Sequence, residues 1–218
     1  MAERSVYICR HGTSEWNLLS KWQGVTDTAL AAEGVLQAEK QAAAFIDAGI
    51  RFDGCVCSDL SRARTTAGIL CERHKIAPIV DPRLRECSLG EFEGLTKGEI
   101  FGPKYEHIFA RLKSLPQEDR MHASYFDGLE TPAQISGRVT RCLIERLRMD
   151  ETVSSLLVVT HSTVMESVLA VLFSVNFDGI HMRTLAWMRL VFRDDEFAPH
   201  FELVQMDGIH CDEGVVPR

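Results

Sequence analysis

The run Leu156-Leu157-Val158-Val159-Thr160 carries no polar side chain before its last position. A strand that is apolar on both faces belongs at the centre of a parallel sheet, with helices covering each side. The surrounding segments fit that demand. Val6-Tyr7-Ile8-Cys9 is a second apolar strand and Cys55-Val56-Cys57-Ser58 a short third one. Between them, 30–48 is Ala-rich, spaces Val35, Ala38, Ala42, Phe45 and Ile46 along one helical face, and stops at Gly49. Helices are also predicted over 60–74 and 163–173, and a strand over 77–80. Thr131-Pro132-Ala133-Gln134 reads as a capping box with proline at the first helical position, opening a helix that runs to Met149. The stretches 186–192 and 201–206, separated by the polar Arg193-Asp194-Asp195-Glu196, predict a C-terminal hairpin or edge pair. The alternation predicts an α/β fold in three layers: a central, mostly parallel sheet, helices on both faces, and C-terminal edge strands.

With 218 residues the chain suits a single domain over 1–218. Between Gly94 and Glu130 periodicity fails and Gly98, Gly102, Pro103, Pro116 and Gly128 accumulate, which predicts a lid-like insertion at about 95–130. A net charge of −7 argues against a nucleic-acid surface, though a local cluster of Arg and His still suits a small anion. No apolar run is long enough for a membrane span, and Met1-Ala2-Glu3-Arg4 opens no signal peptide. Cys9, Cys55, Cys57, Cys71, Cys87, Cys142 and Cys211 are odd in number and form no CxxC pair, so reduced thiols in a cytoplasmic protein are expected. Monomer and homodimer are both compatible with the pattern.

The two strongest strands end in chemistry. The first runs into Arg10-His11-Gly12, the central one into His161, and Ser58-Asp59 at a third strand end is followed by Arg62. Ligands collect at the carboxyl ends of parallel strands, and helix N-termini there favour anions. Two imidazoles and two guanidiniums at such ends describe a phosphate-sized anion site. Singly, each residue has an ordinary reading: His161 as a satisfied core histidine, Arg62 as part of a solvated Arg62/Arg64 face, Glu86 as a surface partner of Arg83 or Arg85. Jointly they favour function. His, Glu and His are also zinc-ligand types, but Arg10 and Arg62 make a cation site electrostatically poor.

With these residues in place, the chain resembles the histidine phosphatase superfamily, the phosphoglycerate mutase-like group. The motifs that carry the likeness are Arg10-His11-Gly12-Thr13-Ser14-Glu15-Trp16-Asn17, Gln23-Gly24 with Asp27, Leu30 and Gly34, and Ser58-Asp59-Leu60-Ser61-Arg62-Ala63 with Thr66-Ala67. Leu84-Arg85-Glu86 with Gly90 and Glu93-Gly94, Gly128-Leu129-Glu130-Thr131 and Val159-Thr160-His161 complete them in the family's order. The resemblance implies that His11 is the nucleophile, forming a phosphohistidine, with its other ring nitrogen held by a backbone carbonyl. It implies that Arg10, Arg62 and His161 hold the phosphoryl oxygens and that Glu86 exchanges protons with the leaving oxygen and the attacking water. Asn17, Gln23, Gly24, Thr13 and Ser162 are then expected in substrate binding, with no cofactor and no metal.

Four positions depart from the family pattern. Thr13 stands where Glu or Gln is usual and Ser14 where Thr is common, both expected to keep a hydroxyl near the phosphate. Ser162 replaces the usual glycine after the second histidine, narrowing the pocket or adding a donor. Glu166 replaces a frequent Arg and is expected to point away from the anion site or to pair with Arg. The mutases of the group carry an Arg-His-Tyr element after the acid, where this chain has Cys87-Ser88-Leu89. That difference favours a histidine acid phosphatase-like phosphomonoesterase acting on a small phosphorylated metabolite. The alternatives are mutase-type phosphoryl transfer and a non-catalytic phospho-ligand binder.

Overall fold

The computed structural model describes residues 3–195 and 198–212. Met1, Ala2 and Glu196, on which two sequence expectations partly rest, lie outside them. Within the described residues six strands form one sheet: β1 (Arg4–Arg10), β2 (Gly54–Cys57), β3 (Ile79–Val80), β4 (Ser155–Thr160), β5 (Ile180–Asp194) and β6 (Pro199–Cys211), in the order β3-β2-β4-β1-β5-β6. The first four are parallel and the last two antiparallel. The apolar run at 156–160 therefore lies between β2 and β1, buried from Leu156 to Thr160. Among the described residues eight α-helices surround the sheet: α1 (Glu15–Leu18), α2 (Ala32–Asp47), α3 (Ser61–Glu72), α4 (Lys97–Ile100), α5 (Glu106–Ser114), α6 (Gln117–Arg120), α7 (Pro132–Met149) and α8 (Ser162–Phe173).

The period-two alternation of a strand sends neighbouring side chains to opposite faces. Tyr7, Cys9, Cys55, Cys57, Leu157 and Val159 pack with α2 and α3 residues such as Ala38, Phe45, Ala67 and Leu70. Val6, Ile8, Val56, Leu156 and Val158 pack on the other face with Val139, Leu143, Met165 and Leu169 of α7 and α8. Two cores back to back on one sheet are the three-layer α/β arrangement. All seven cysteines are free thiols, six of them buried.

Two expectations need correction. The strand expected over 77–80 is two exposed residues, too short to carry a periodic signal. The terminal strands start earlier and end later than their apolar stretches. A register shift comes after Met182, Leu185 takes φ 56° and Gly208 φ 69°, and this irregularity breaks the alternation that marks a strand. The segment 95–130, whose conformation the sequence leaves open, is built of α4, α5 and α6. Ile100, Tyr105 and Ile108 are buried in the α7/α8 core, and Phe92 stacks on Phe109 at 5.8 Å. Its helices are too short for several turns of periodicity, so the sequence shows no pattern there. Their cations are largely spent on structure: Arg111 donates to the Ser124 and Tyr125 carbonyls, and Arg120 to those of Lys113 and Leu115 and to Asp178.

Candidate active site

Strand register brings the chemistry together. The backbone N–H of His11 donates to the Thr160 carbonyl at 3.0 Å, and that of Ser58 to the Val159 carbonyl at 3.0 Å. The ends of β1, β4 and β2 are thereby tied side by side. His11 and His161 meet over the seam, their ring centroids 5.2 Å apart and the rings inclined by 62°.

Close packing fixes the turn after His11. Gly12 donates its N–H to Thr66 Oγ1 at 3.1 Å, and a Cβ there would lie 2.7 Å from the Gly34 carbonyl oxygen. Backbone on both sides leaves no room for relaxation. Gly12→Ala is expected to cost about 1–3 kcal/mol of stability, read as a lower urea midpoint at unchanged m-value. An unmoved midpoint would show that the α2 end gives way.

A cavity of about 500 Å³ opens above these strand ends, walled by Arg10, His11, Asn17, Gln23, Gly24, Arg62, Glu86 and Ser162 among others. His11 Nδ1 lies 2.7 Å from the Gly12 carbonyl oxygen. A carbonyl only accepts, so this nitrogen carries the proton and Nε2 keeps its lone pair. Burial, then the Arg62 and Arg10 guanidiniums, hold the His11 imidazole well below its ordinary pKa. It is therefore neutral around pH 7. His161 bonds Ser58 Oγ through Nε2 at 2.8 Å, and its buried Nδ1 has no partner among the described residues. Burial, then His11, Arg62 and Arg10, push it down in the same way.

Arg62 is almost fully buried and is held as a fork, Nη1 on the Thr26 carbonyl at 2.9 Å and Nη2 on the Gly24 carbonyl at 2.8 Å. The loop that accepts it is itself organised by Glu93, whose carboxylate takes N–H bonds from Val25, Thr26 and Leu89. Arg10 spends one Nη on the Met182 carbonyl at 2.9 Å. The Nε groups of both arginines are buried and unbonded among the described residues. Unmet donors beside two histidines are what an anion would satisfy.

Glu86 is not a surface partner of Arg83 or Arg85, which bind Asp81 with Glu145 and Asp59 respectively. Its buried carboxylate accepts from the Cys87 N–H at 3.0 Å and the Thr163 N–H at 3.3 Å. Burial raises its pKa against the pull of those N–H groups and Arg62. The site thus pairs a base pushed down with a carboxyl pushed up, the division of labour that acid–base chemistry needs.

Asn17, Gln23, Gly24 and Ser162 also line the cavity. Asn17 Oδ1 accepts from Ser14, leaving its amide N–H groups for a ligand. Thr13 and Ser14 do not line the cavity, contrary to expectation. The Thr13 hydroxyl is spent on Gln37 and Thr184, and that of Ser14 on Gln23 and the α1 cap. Glu166 is the larger correction: it lines the cavity rather than pointing away, and no Arg among the described residues pairs with it. Lys97 and Tyr125, a cation and an aromatic of the 95–130 segment expected to cover the pocket, also line it, as do Lys21, Trp22 and His181, which the sequence does not single out as site residues. Their placement depends on loops and on β5, which no local motif marks. Among the described residues no group of three or more His, Cys, Asp or Glu is assembled to hold a metal ion, and no helix is long and apolar enough to cross a membrane.

Known proteins resemble this chain in sequence and in fold. A 2,3-bisphosphoglycerate-dependent phosphoglycerate mutase of Methylobacterium sp. (strain 4-46) is 29% identical over 194 residues, covering 86% of this chain and 87% of its own. The mycobacterial glucosyl-3-phosphoglycerate phosphatase superposes with a TM-score of 0.76 at 26% identity, over 92% of this chain and 97% of its own. A phosphoglycerate mutase of Bacillus anthracis shares the fold, with a TM-score of 0.78 at 22% identity, over 95% and 93% of the two chains. The profile of the histidine phosphatase superfamily (branch 1) matches residues 6–202. The chain belongs to the histidine phosphatase superfamily.

Proposed function

We propose that this protein is a phosphomonoesterase that hydrolyses a small phosphorylated metabolite through a phosphohistidine on His11. One observation carries the reading: the Nδ1–H of His11 is committed to a carbonyl, so Nε2 is a neutral nucleophile in a cavity walled by Arg10, Arg62 and Glu86. Nε2 attacks phosphorus in line, while Arg10, Arg62, Asn17 and His161 hold the equatorial oxygens as charge shifts in the transition state. Glu86 gives its proton to the leaving oxygen, and the resulting carboxylate takes one from the water that attacks the phosphohistidine. Ser162 opens α8 at the cavity wall and offers a further hydroxyl. The chain acts as one catalytic domain, with 95–130 as its lid, reaching the cavity through Lys97 and Tyr125.

Mutase chemistry is the second reading, favoured by the name of the mutase relative. Leu89 on the cavity wall and the buried Cys87 favour hydrolysis, because they offer no cation or phenol to grip a phosphoglycerate carboxylate. Steady phosphate release across a screen of sugar phosphates, phosphoglycerates, nucleotides and phosphopeptides, with His11→Ala as blank, tests the proposal. Interconversion of phosphoglycerates without net phosphate release would replace it with the mutase, and phosphate binding without turnover with a binder.

The pKa directions set the pH profile. His11 must be neutral to attack, and its pKa lies below 6.5, so the acid limb of kcat/KM falls below the ordinary histidine range. Glu86 must be protonated to act, and its pKa lies above 4.5, so the basic limb falls above the ordinary carboxylate range. Activity toward alkyl phosphates is expected to peak on the acid side of neutrality. The basic limb is expected to vanish in Glu86→Gln; its persistence there would assign it to another group.

A further inference from the structure

Glu166 has no place in phosphoryl transfer to His11. It lies one turn along α8 from Ser162, and its carboxylate faces the same cavity as His11 and Glu86. Among the described residues no hydrogen bond or ion pair holds it. Arg10, the neighbouring cation, bonds the Met182 carbonyl instead. A second carboxylate in a site for phosphate dianions adds only repulsion, unless the rest of the substrate supplies the opposite charge.

Two aromatic rings stand at the same cavity wall. Trp22 and Tyr125 both line it, with centroids 6.0 Å apart and planes inclined by 55°. Glu166 and Tyr125 line that one cavity together, and burial, then the Glu166 carboxylate, raises the Tyr125 phenol. An unpaired carboxylate that shares a cavity with two aromatic rings suits a cation: the charge is met by the carboxylate and the body of the ion by the ring quadrupoles. A hydroxyl would gain little from the rings, and a substrate carboxylate would be a second anion beside Glu166.

We propose that Glu166, with Trp22 and Tyr125, forms a subsite for an ammonium carried by the leaving group, so that the preferred substrates are aminoalkyl phosphomonoesters. This rests on the phosphatase reading for turnover, though recognition is separable from it. The electrostatics of the cavity agree. Burial and then Glu86 raise the Glu166 carboxyl to about 7, while Arg10 and Lys97 act in the opposite direction. An ammonium would relieve that repulsion.

The test compares phosphoethanolamine with n-propyl phosphate, its neutral near-isostere, and with phosphoglycolate, which carries a carboxylate instead. Wild-type kcat/KM is expected to favour phosphoethanolamine over propyl phosphate by roughly 10- to 100-fold, the worth of a hydrogen bond to a charged group. Glu166→Gln is expected to bring that ratio close to one, and Glu166→Arg to shift preference to phosphoglycolate. A wild-type ratio at or below one, or a ratio that survives Glu166→Gln, overturns the proposal. Calorimetric affinities of His11→Ala protein for the same three esters read recognition without turnover. A chain that hydrolyses nothing but binds phosphoethanolamine most tightly refutes the phosphatase reading and sustains the subsite. Hydrolysis of 4-nitrophenyl phosphate without ammonium preference does the reverse.

Discussion

His11→Ala is expected to abolish phosphate release from every ester, by about 10⁴-fold or more, on the scale seen when a covalent nucleophile is removed. The expectation rests on division of labour. Arg10, Arg62 and His161 are positioned by their own partners (the Met182, Thr26 and Gly24 carbonyls and Ser58) and none of these bonds passes through the His11 side chain. Removing the imidazole therefore takes away the attacking lone pair but leaves an anion site. Binding of inorganic phosphate by the variant is expected to persist, measured by calorimetry. Wild-type protein quenched during turnover of a ³²P-labelled ester is expected to carry an acid-labile, alkali-stable label that the variant lacks. A loss of tenfold or less, or an equal label in the variant, would move the nucleophile elsewhere.

Much of that arrangement is legible in the sequence because its parts lie at ends of elements that a local pattern announces. Val6 to Cys9 and Leu156 to Thr160 are continuous apolar runs, and the residue after each run sits, by the geometry of parallel sheets, at the ligand-binding edge. The Thr131 capping box forms as its spacing predicts, side chain to N–H in both directions, because cap chemistry is a contact between residues three apart. Glu166 departs from expectation for the opposite reason. Its neighbours in sequence say only that it sits on a helix, while its orientation is decided by Val164, Met165, Val168 and Leu169, whose burial turns the remaining face of α8 to the cavity. Electrostatics alone would keep a carboxylate away from an anion site, yet the packing of α8 outranks a penalty that partial protonation softens. Glu93 belongs to a sequence motif that gives it no role of its own. Its function is to bind backbone nearly 70 positions away, at Val25 and Thr26, a relation that no spacing rule contains.

Glu86→Gln separates proton transfer from everything else the pocket does. Glu86 uses both oxygens as acceptors, for the Cys87 and Thr163 N–H groups. An amide accepts with only one of its two ends, so the variant leaves one of those N–H groups unmet and loses about 1–3 kcal/mol of stability. That cost is the same for every substrate and cancels in a ratio. The leaving group does not cancel. An alkoxide cannot depart without a proton, so phosphorylation of His11 by an alkyl phosphate is expected to slow by about 10²- to 10⁴-fold. 4-Nitrophenolate departs unaided, so phosphorylation by its ester is expected to slow by about tenfold or less. The second half-reaction has no such escape, because water attacks the phosphohistidine in both cases and loses the base that takes its proton. With the aryl ester the first step then outruns the second, and rapid mixing is expected to show a burst of 4-nitrophenol approaching one equivalent per His11, succeeded by slow turnover. Equal losses with both esters and no burst would remove Glu86 from the proton transfers and leave it as a buried carboxylate that positions Thr163.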